Sequence, residues 1–504
     1  MSSKSILKNT FTVGIFTAGS RVLGLVREML QSRLIGAGVE QSAFALAFAI
    51  PNMARKLFGE GALTAAFVPV FKGEVEKLGV AEASKLARAV MTMVILILSA
   101  VSATSVAALC GVLHFAALSP RAAITIELVA ILCPYMVFIC GAAFGMGVLN
   151  ALGKFKASSF MPALLNLFWI ATLILLFVFK CPSVKLVALG ILLGGFTQMA
   201  FMFHSMRKMG VSYLPTFRGW AAENVRLVWR NLGIAALGAG AIQINYALDN
   251  VLAQLASPWA AGVIGYAERL MDLPLGVIGV AFGTVLLPTF AGFFANDDIN
   301  GAREALVSST KSLLLVMIPA AAGMCALAPE ITELIYEGGS FDAQATTRVA
   351  RALAVYALGL GFFGVQKSLI PWFQAQKDMK TPLRVSVITV CVNAALNILA
   401  VVMLPVEWRH VGLASSTVLC AFLGVVILIR FAIQKNGSTG LKALILPVTK
   451  MVLASLLMAL VLHLFTSTWL IIKIVVGACT YFAFAALFLR QELRSLKSLR
   501  RRKK

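Results

Sequence analysis

The stretch MTMVILILSAVSATSVAAL, residues 91–109, has no charged side chain over nineteen consecutive positions. A helix of that length rises about 28 Å, close to the roughly 30 Å of hydrocarbon in a bilayer. Residues 164–178 and 452–462 are also free of charge. Backbone groups in lipid must be hydrogen-bonded within the protein, and continuous apolar runs favour helices over strands. These runs predict membrane-spanning helices.

The composition of the whole chain agrees with that prediction. Of 504 residues, 60% are hydrophobic and 13% are charged, and the mean hydropathy is +0.90. Soluble domains have about 45–50% apolar and about 25% charged residues. We therefore predict an all-α polytopic membrane protein with about fourteen transmembrane helices. Their expected centres are near residues 22, 55, 99, 136, 168, 195, 243, 279, 317, 358, 393, 421, 454 and 480.

The N-terminus predicts a retained first helix rather than a cleaved signal. Lys4 and Lys8 precede an apolar stretch that passes Arg21 and Arg27 without an A-x-A-like cleavage site.

Lysine and arginine are distributed unequally between alternate connections. Three connections, residues 36–42, 256–262 and 466–469, contain neither. Basic residues of the other connections and the tail include Lys72, Lys77, Lys85, Arg88, Lys154, Lys156, Arg207, Lys208, Arg218, Arg303, Lys311, Lys377, Lys380, Arg384, Lys435, Lys442, Arg494, Lys497 and Arg500–Lys504. The positive-inside rule then places both termini in the cytoplasm. The rule also explains much of the net charge of +23, so we expect no nucleic-acid partner.

A weak internal repeat suggests two lobes. Phe67–Phe71 and Leu286–Phe290 each carry a central proline, and Lys154–Lys156 and Lys377–Lys380 follow the fourth and tenth helices. Both offsets are close to 220 residues, or six helices, which predicts a parallel pseudo-repeat with a cavity between the lobes. The predicted regions are 1–219 (N-lobe), 220–436 (C-lobe), 437–492 (helices thirteen and fourteen) and 493–504 (basic tail).

Several ionisable residues fall inside predicted spans, where charges are costly and mark functional sites. The alternative is that they reach the interface or form structural ion pairs. They are Arg21, Arg27, Glu28, Arg55, Glu60, Asp249, Glu268, Arg269, Asp272 and Lys367.

Arginine is the informative residue type in this set. A guanidinium remains charged and binds phosphate or carboxylate oxygens in a bidentate fork. A cavity lined by arginines therefore predicts an anionic substrate. No nucleophile elbow, P-loop or nucleotide fingerprint is present, so we expect neither an enzyme nor an organic cofactor.

The eight cysteines show no C-x-x-C spacing and lie mostly in apolar runs. We expect them to be small buried hydrophobic residues.

Five segments resemble the MurJ (MviN) lipid II flippases of the MOP exporter superfamily. They are SRVLGLVRE at 20–28, PNMARKLFGEGA at 51–62, AAFVP at 65–69, YAERLMDLPLGV at 266–277 and KDMKTP at 377–382. The resemblance covers all fourteen predicted spans. It implies alternating access, with lipid II carried from the inner to the outer leaflet.

The resemblance also implies roles for residues. Arg21, Arg27, Arg55 and Arg269, with Ser20 and Asn52 beside them, match the family's cavity residues that bind pyrophosphate and peptide carboxylates. The undecaprenyl tail is expected in a groove near helices thirteen and fourteen. Expected gate or ion-pair residues are Glu28, Glu60, Glu268, Asp272 and Lys367.

Some family members bind sodium through an Asp in helix seven and polar residues in helices eleven and twelve, and four residues here are candidates for such a site. They are Asp249, Asn393, Asn397 and Thr417. Their oxygens suit a hard cation. A hydrogen-bond cluster between helices is the rival interpretation.

Two other functions are considered. One is export of a drug or a lipid-linked oligosaccharide by another member of the superfamily. The other is a membrane scaffold that recruits cell-wall synthesis proteins. Arginines inside the spans argue against both a drug exporter and a scaffold. The expected partners are lipid II, membrane lipids and, at the surface, cell-wall synthesis proteins.

Overall fold

The computed structural model describes residues 3–56, 62–465 and 469–488. Side chains are described throughout these ranges except at 3–15, 17–18, 62, 64–65, 234–242, 244–245, 277–284 and 487–488. In the described part the chain is helical, and its one extended pairing is the bridge between Gly338 and Phe341. The helices are α1 (Ser3–Ile35), α2 (Val39–Ala54), α3 (Ala62–Phe115), α4 (Pro120–Leu132), α5 (Tyr135–Ala151), α6 (Phe155–Val178), α7 (Val184–Lys208), α8 (Glu223–Ala256), α9 (Ala260–Ala295), α10 (Ile299–Ala326), α11 (Ala328–Tyr336), α12 (Ala343–Ala375), α13 (Lys380–Met403), α14 (Val406–Asn436), a 3₁₀ turn (Leu441–Leu444), α15 (Ile445–Leu464) and α16 (Leu470–Phe488).

The predicted all-α membrane fold is confirmed. Nine helical stretches within the described ranges are long and apolar enough to cross a bilayer. A further stretch, Leu470–Ala486, is apolar but shorter. The protein is therefore a multi-pass membrane protein, while the count of fourteen spans stays a prediction.

The chain divides into two compact units. Unit 1 comprises Met1–Gln254 and Gly338–Phe341, and unit 2 comprises Leu255–Glu337 and Asp342–Lys504. The core of unit 1 is built from α1 to α8 and includes Phe67, Phe71 and Trp169. Unit 2 has one core around Trp372 and another where α15 and α16 pack on α10. The boundaries expected from the sequence stay a prediction.

The predicted second and third helices meet at a kink at Gly79 and not through an extended basic loop. α3 runs from Ala62 to Phe115, and only Gly79 leaves helical geometry, with φ 82° and ψ 171°. A positive φ favours glycine, which lacks a Cβ. The basic connection is therefore helical on both sides of one glycine.

The two proline segments of the repeat each contain a buried aromatic residue. Pro69 and Pro288 both lie inside helices. Phe67 stacks on Phe71 with ring centroids 5.1 Å apart, and Phe290 meets Trp372 at 5.6 Å. All four side chains are buried. Each segment thus contributes to a hydrophobic core of its own unit.

The two lysine segments of the repeat close their helices with the same turn. After α5, the N–H groups of Gly153 and Lys154 donate to Asn150 O at 3.0 Å and Leu149 O at 2.8 Å. After α12, those of Lys377 and Asp378 donate to Gln374 O at 2.9 Å and Phe373 O at 3.0 Å. Gly153 has φ 72° and Lys377 has φ 58°. This is a Schellman turn, with one residue in the left-handed region.

The expectation that the cysteines are buried was only partly right. Cys133, Cys140 and Cys420 are buried, and Cys325 is intermediate. The exposed ones are Cys110, Cys181, Cys391 and Cys479. An apolar run in a membrane helix has a lipid-facing side, so an apolar neighbourhood does not imply burial in protein.

Asp378 joins the turn after α12 to the end of α14. Its carboxylate accepts from Thr381 N–H at 3.0 Å, from the Thr381 hydroxyl at 2.9 Å and from Lys435 Nζ at 2.9 Å. Partial burial raises the pKa of Asp378, but the hydrogen bonds from Lys435 and Thr381 outweigh it and lower that pKa from 3.8 to about 2. The ionised form therefore stabilises the fold.

We predict that Asp378→Asn removes this stabilisation while keeping an acceptor for Thr381, and that Asp378→Ala costs about 1 kcal/mol more because the cap is also lost. The folded-state pKa is depressed, so the advantage of the wild type over Asp378→Asn is full above pH 4 and disappears as the pH falls through about 2. Thermal melting of the purified protein at a series of pH values measures it. Glu82→Gln, in the exposed Lys85–Glu82 pair, is the control and should change little. An equal pH dependence in both variants would contradict the prediction.

Candidate substrate site

Arg27 on α1 is held from three sides within unit 1. Its Nη1 donates to Asn166 Oδ1 at 2.9 Å, and its Nη2 pairs with Glu28. Its guanidinium carbon lies 4.2 Å from the ring centroid of Trp169. The Arg27 and Glu28 side chains are each only 12% exposed. A cation–π contact of this kind becomes stronger as it is desolvated, so the charge of Arg27 is well compensated inside its own unit.

Asn166 on α6 connects Arg27 to the earlier part of α1. Its Nδ2 donates to the carbonyl of Ser20 at 3.1 Å and lies 3.4 Å from the Ser20 hydroxyl. Asn166 is 7% exposed. The side-chain amide of Asn166 thus accepts from Arg27 and donates to Ser20. It holds α6 against two positions of α1 that are seven residues apart.

Arg21 is half-buried on α1, one residue after Ser20. Among the described residues, no hydrogen bond or ion pair of its side chain is found. Arg21 therefore differs from Arg27 in carrying a charge that its described neighbours do not compensate.

Arg55 follows a proline inside the second helical segment. Pro51 is buried within α2, and Arg55 Nε donates to Asn52 Oδ1 at 3.0 Å. Residues 55–56 continue α2 as a wider π-type turn, a geometry often found at functional sites. Lys56 Nζ lies 4.5 Å from the ring centroid of Tyr246. Asn52 therefore positions Arg55 and does not stand alone as a ligand. Glu60 lies outside the described residues.

Unit 2 contains the remaining charges of the predicted site. Arg269 and Asp272 are exposed on α9, and Lys367 is exposed on α12. Glu268 is half-buried and accepts a hydrogen bond at 3.2 Å from the hydroxyl of Tyr356. Tyr356 is 2% exposed, so it fixes the carboxylate next to Arg269.

The residues expected to bind sodium lie in different units. Asn393 and Asn397 are buried on α13, and Asn397 Nδ2 donates to Asn393 Oδ1 at 3.0 Å. The Thr417 hydroxyl donates to Leu413 O at 3.2 Å. These three residues belong to unit 2, whereas Asp249 belongs to unit 1. No group of three His, Cys, Asp or Glu residues suited to a metal occurs in the part of the chain searched.

A sequence model of the family described as lipid II flippase MurJ matches residues 31–480. The chain belongs to the MurJ lipid II flippase family. Probable MurJ flippases of Rhizobium tropici and of Vibrio cholerae are both 33% identical to it. The first alignment covers 78% of this chain and 75% of the relative. The second covers 85% and 83%.

Solved structures agree at the level of the fold. A structure of lipid II flippase MurJ in an inward closed conformation is 26% identical, with a TM-score of 0.79 over 95% of this chain and 99% of that one. An inward-facing multidrug MATE transporter of the MOP superfamily is 15% identical, with a TM-score of 0.70 over 83% and 95%. The second similarity shows the shared fold alone.

Sequence reasoning missed two residues of this MurJ family member, Asn166 and Trp169. Both lie in the charge-free run at 164–178, which was interpreted only as a span. An amide in an otherwise apolar helix was an available signal, because polar groups in a membrane helix need partners. The spacing of residues along the sequence does not show that the partner of Asn166 is Arg27, which lies 139 positions away.

We predict that Asn166→Leu destabilises the protein by about 1–3 kcal/mol, because Arg27 and the Ser20 carbonyl then lose a partner in a nearly closed site. Thermal melting measures the loss. Thr172→Val on the same helix is the matched control, since Thr172 bonds only the Phe168 carbonyl one turn earlier. The control should melt like the wild type, and an unshifted Asn166→Leu would show that this clamp is unimportant.

Proposed function

We propose that the protein is a lipid II flippase, moving the undecaprenyl-pyrophosphate-linked peptidoglycan precursor from the inner to the outer leaflet of the bacterial cytoplasmic membrane. Membership of the MurJ family supports this proposal. The observation that carries it is a set of arginines within helices of both units: Arg21 and Arg55 in unit 1, and Arg269 in unit 2.

The surroundings of the four arginines suggest different roles. Arg27 is compensated by Glu28, Asn166 and Trp169, so we assign it to holding α1 in place. Arg21 is half-buried and Arg269 is exposed, and we assign both to the anionic head group. Arg55 donates through Nε to Asn52 Oδ1, and we assign its guanidinium fork to the head group as well. Pyrophosphate offers the oxygens that such forks bind.

Alternating access is part of the proposal. Pro51 precedes Arg55 by four residues, and Pro274 follows Arg269 by five, each inside its helix. Proline removes a backbone hydrogen bond and lets a helix bend. Bending next to an arginine would couple movement of the helix to binding of the head group.

An apolar cavity in unit 2 supports a site for the undecaprenyl tail. It has a volume of about 620 Å³ and lies between α10, α12, α14, α15 and the 3₁₀ turn. Leu314, Ile318, Val448, Val452 and Leu456 lie along its walls. An apolar lining suits a prenyl chain, because burying hydrocarbon there needs no polar partner. We assign the tail to this cavity beside α15.

The first test of this proposal concerns the head group. Replacing Arg21, Arg55 or Arg269 with Ala should abolish rescue of a bacterium depleted of its own flippase, with membrane levels unchanged. Lysine at each position should rescue only partly, because a lysine cannot form the bidentate fork. Exposure of lipid II on the outer leaflet is the direct readout.

The matched control is Arg384→Ala, which removes an exposed arginine of α13 and should flip lipid II like the wild type. Normal flipping by all three alanine variants would mean that the head group binds elsewhere.

The distribution of basic connections supports an orientation with both termini in the cytoplasm.

We also propose a sodium ion held by Asp249, Asn393, Asn397 and Thr417. The buried amide oxygens of Asn393 and Asn397 and the hydroxyl oxygen of Thr417 support this, because sodium prefers oxygen ligands.

For the sodium site, we predict that sodium raises the melting temperature of the purified wild type more than potassium does, and that Asp249→Asn reduces the difference. Asp297→Asn, at an exposed carboxylate after α9, is the control. A wild-type melting curve that is the same in both salts would leave the Asn393–Asn397 contact as packing between helices.

A further inference from the structure

A short segment between α7 and α8 is held on the side of α3. We call residues Ser212–Trp220 the interfacial segment. Ser212 N–H donates to Ser84 Oγ at 2.9 Å, and Thr216 N–H donates to Thr92 Oγ1 at 3.0 Å. Arg88 Nε donates to Leu214 O at 2.9 Å. Three side chains of one helix thus fix its backbone, and the segment is not a free loop.

These contacts also fix the depth of the segment. Thr92 is the second residue of the charge-free run at 91–109, where α3 enters hydrocarbon. One residue further, Met93 Sδ lies 3.3 Å from Trp229 Nε1 at the start of α8. The segment therefore lies at the membrane–water boundary, on the side that the basic connections assign to the cytoplasm.

The interfacial segment presents apolar side chains outward. Leu214 is 60% exposed and Phe217 is 69% exposed. The rings of Phe217 and Trp220 lie 5.4 Å apart, while Val211, just before the segment, is fully buried. Exposed aromatic rings at this depth are typical of residues that insert among lipid head groups.

Exposed arginines lie close in sequence to these apolar side chains. Residues 206–232 contain five basic residues and one acidic residue, which gives a net charge of +4. Arg218 lies next to Phe217, and Arg226 and Arg230 share one face of the first turns of α8, four positions apart. All three are exposed. Each cationic side chain near an anionic leaflet raises the affinity for that leaflet roughly 5-fold.

We propose that the interfacial segment and Arg218, Arg226 and Arg230 form a binding surface for anionic phospholipid head groups of the cytoplasmic leaflet. The arginines bind the phosphodiester, and Leu214 and Phe217 insert beside the acyl chains. The fixed backbone lets the side chains bind without first ordering a loop, which reduces the entropic cost. An acidic protein is the less suitable partner, because Leu214 and Phe217 lie where hydrocarbon begins. The proposal concerns the membrane surface and does not depend on which substrate the protein transports.

The experiment compares variants of the full chain by native mass spectrometry from mixed micelles of phosphatidylglycerol and phosphatidylcholine. In the triple variant Arg218→Gln, Arg226→Gln, Arg230→Gln, the preference for phosphatidylglycerol over phosphatidylcholine should fall by on the order of 100-fold. Phe217→Ser should weaken the binding of both lipids at this site. Added salt should reduce the wild-type preference, because it screens charges exposed to solvent.

The control triple variant, Lys154→Gln, Lys156→Gln, Lys442→Gln, removes three exposed basic residues of other cytoplasmic connections and should keep most of the preference. Equal melting temperatures establish that all variants are folded. A wild-type lipid preference in the arginine variant, or an equal loss in the lysine control, would overturn the proposal.

Discussion

The bilayer removes water as a hydrogen-bond partner, and this constraint governs the structure at every level. Backbone groups are paired within helices throughout the described spans. Hydroxyl side chains follow the same rule and bond to a carbonyl one turn earlier, as Thr172, Thr197 and Ser205 do. Polar groups that cannot be satisfied locally must find a partner on another helix. Those partnerships hold the helices together where hydrophobic burial distinguishes poorly between lipid and protein.

Arg27 shows how a charge that is unfavourable at membrane depth is accommodated. A guanidinium at membrane depth would be costly alone, but here a carboxylate, an amide and an indole share its compensation. The same amide of Asn166 also reaches the Ser20 carbonyl. The contacts that satisfy Arg27 therefore also determine where Arg21, one residue after Ser20, is placed. In unit 2, the hydrogen bond that Tyr356 donates to Glu268 likewise holds the residue next to Arg269 in place.

The segments that suggested an internal repeat share some local geometry. The turns after α5 and α12 use the same pair of backbone hydrogen bonds, although a glycine occupies the left-handed position in one and a lysine in the other. The same pair of bonds also closes α6, α7 and α9, so this turn is a common way to end a helix in this protein. The two proline segments both end in a phenylalanine of a buried aromatic pair.

The sequence by itself determined the helical class and the membrane environment, because hydropathy and period are local properties that any helix in lipid must satisfy. It also identified the family and the arginines inside the spans. Tertiary structure alone decided that Arg27 is enclosed by Asn166 and Trp169, that α3 continues on both sides of Gly79 and that residues 212–220 lie along α3. The Arg27–Asn166 and Thr92–Thr216 contacts join positions 139 and 124 residues apart. No periodicity encodes such pairs. Which side of an apolar helix meets protein and which meets lipid is likewise settled only by packing, because both environments accept the same side chains.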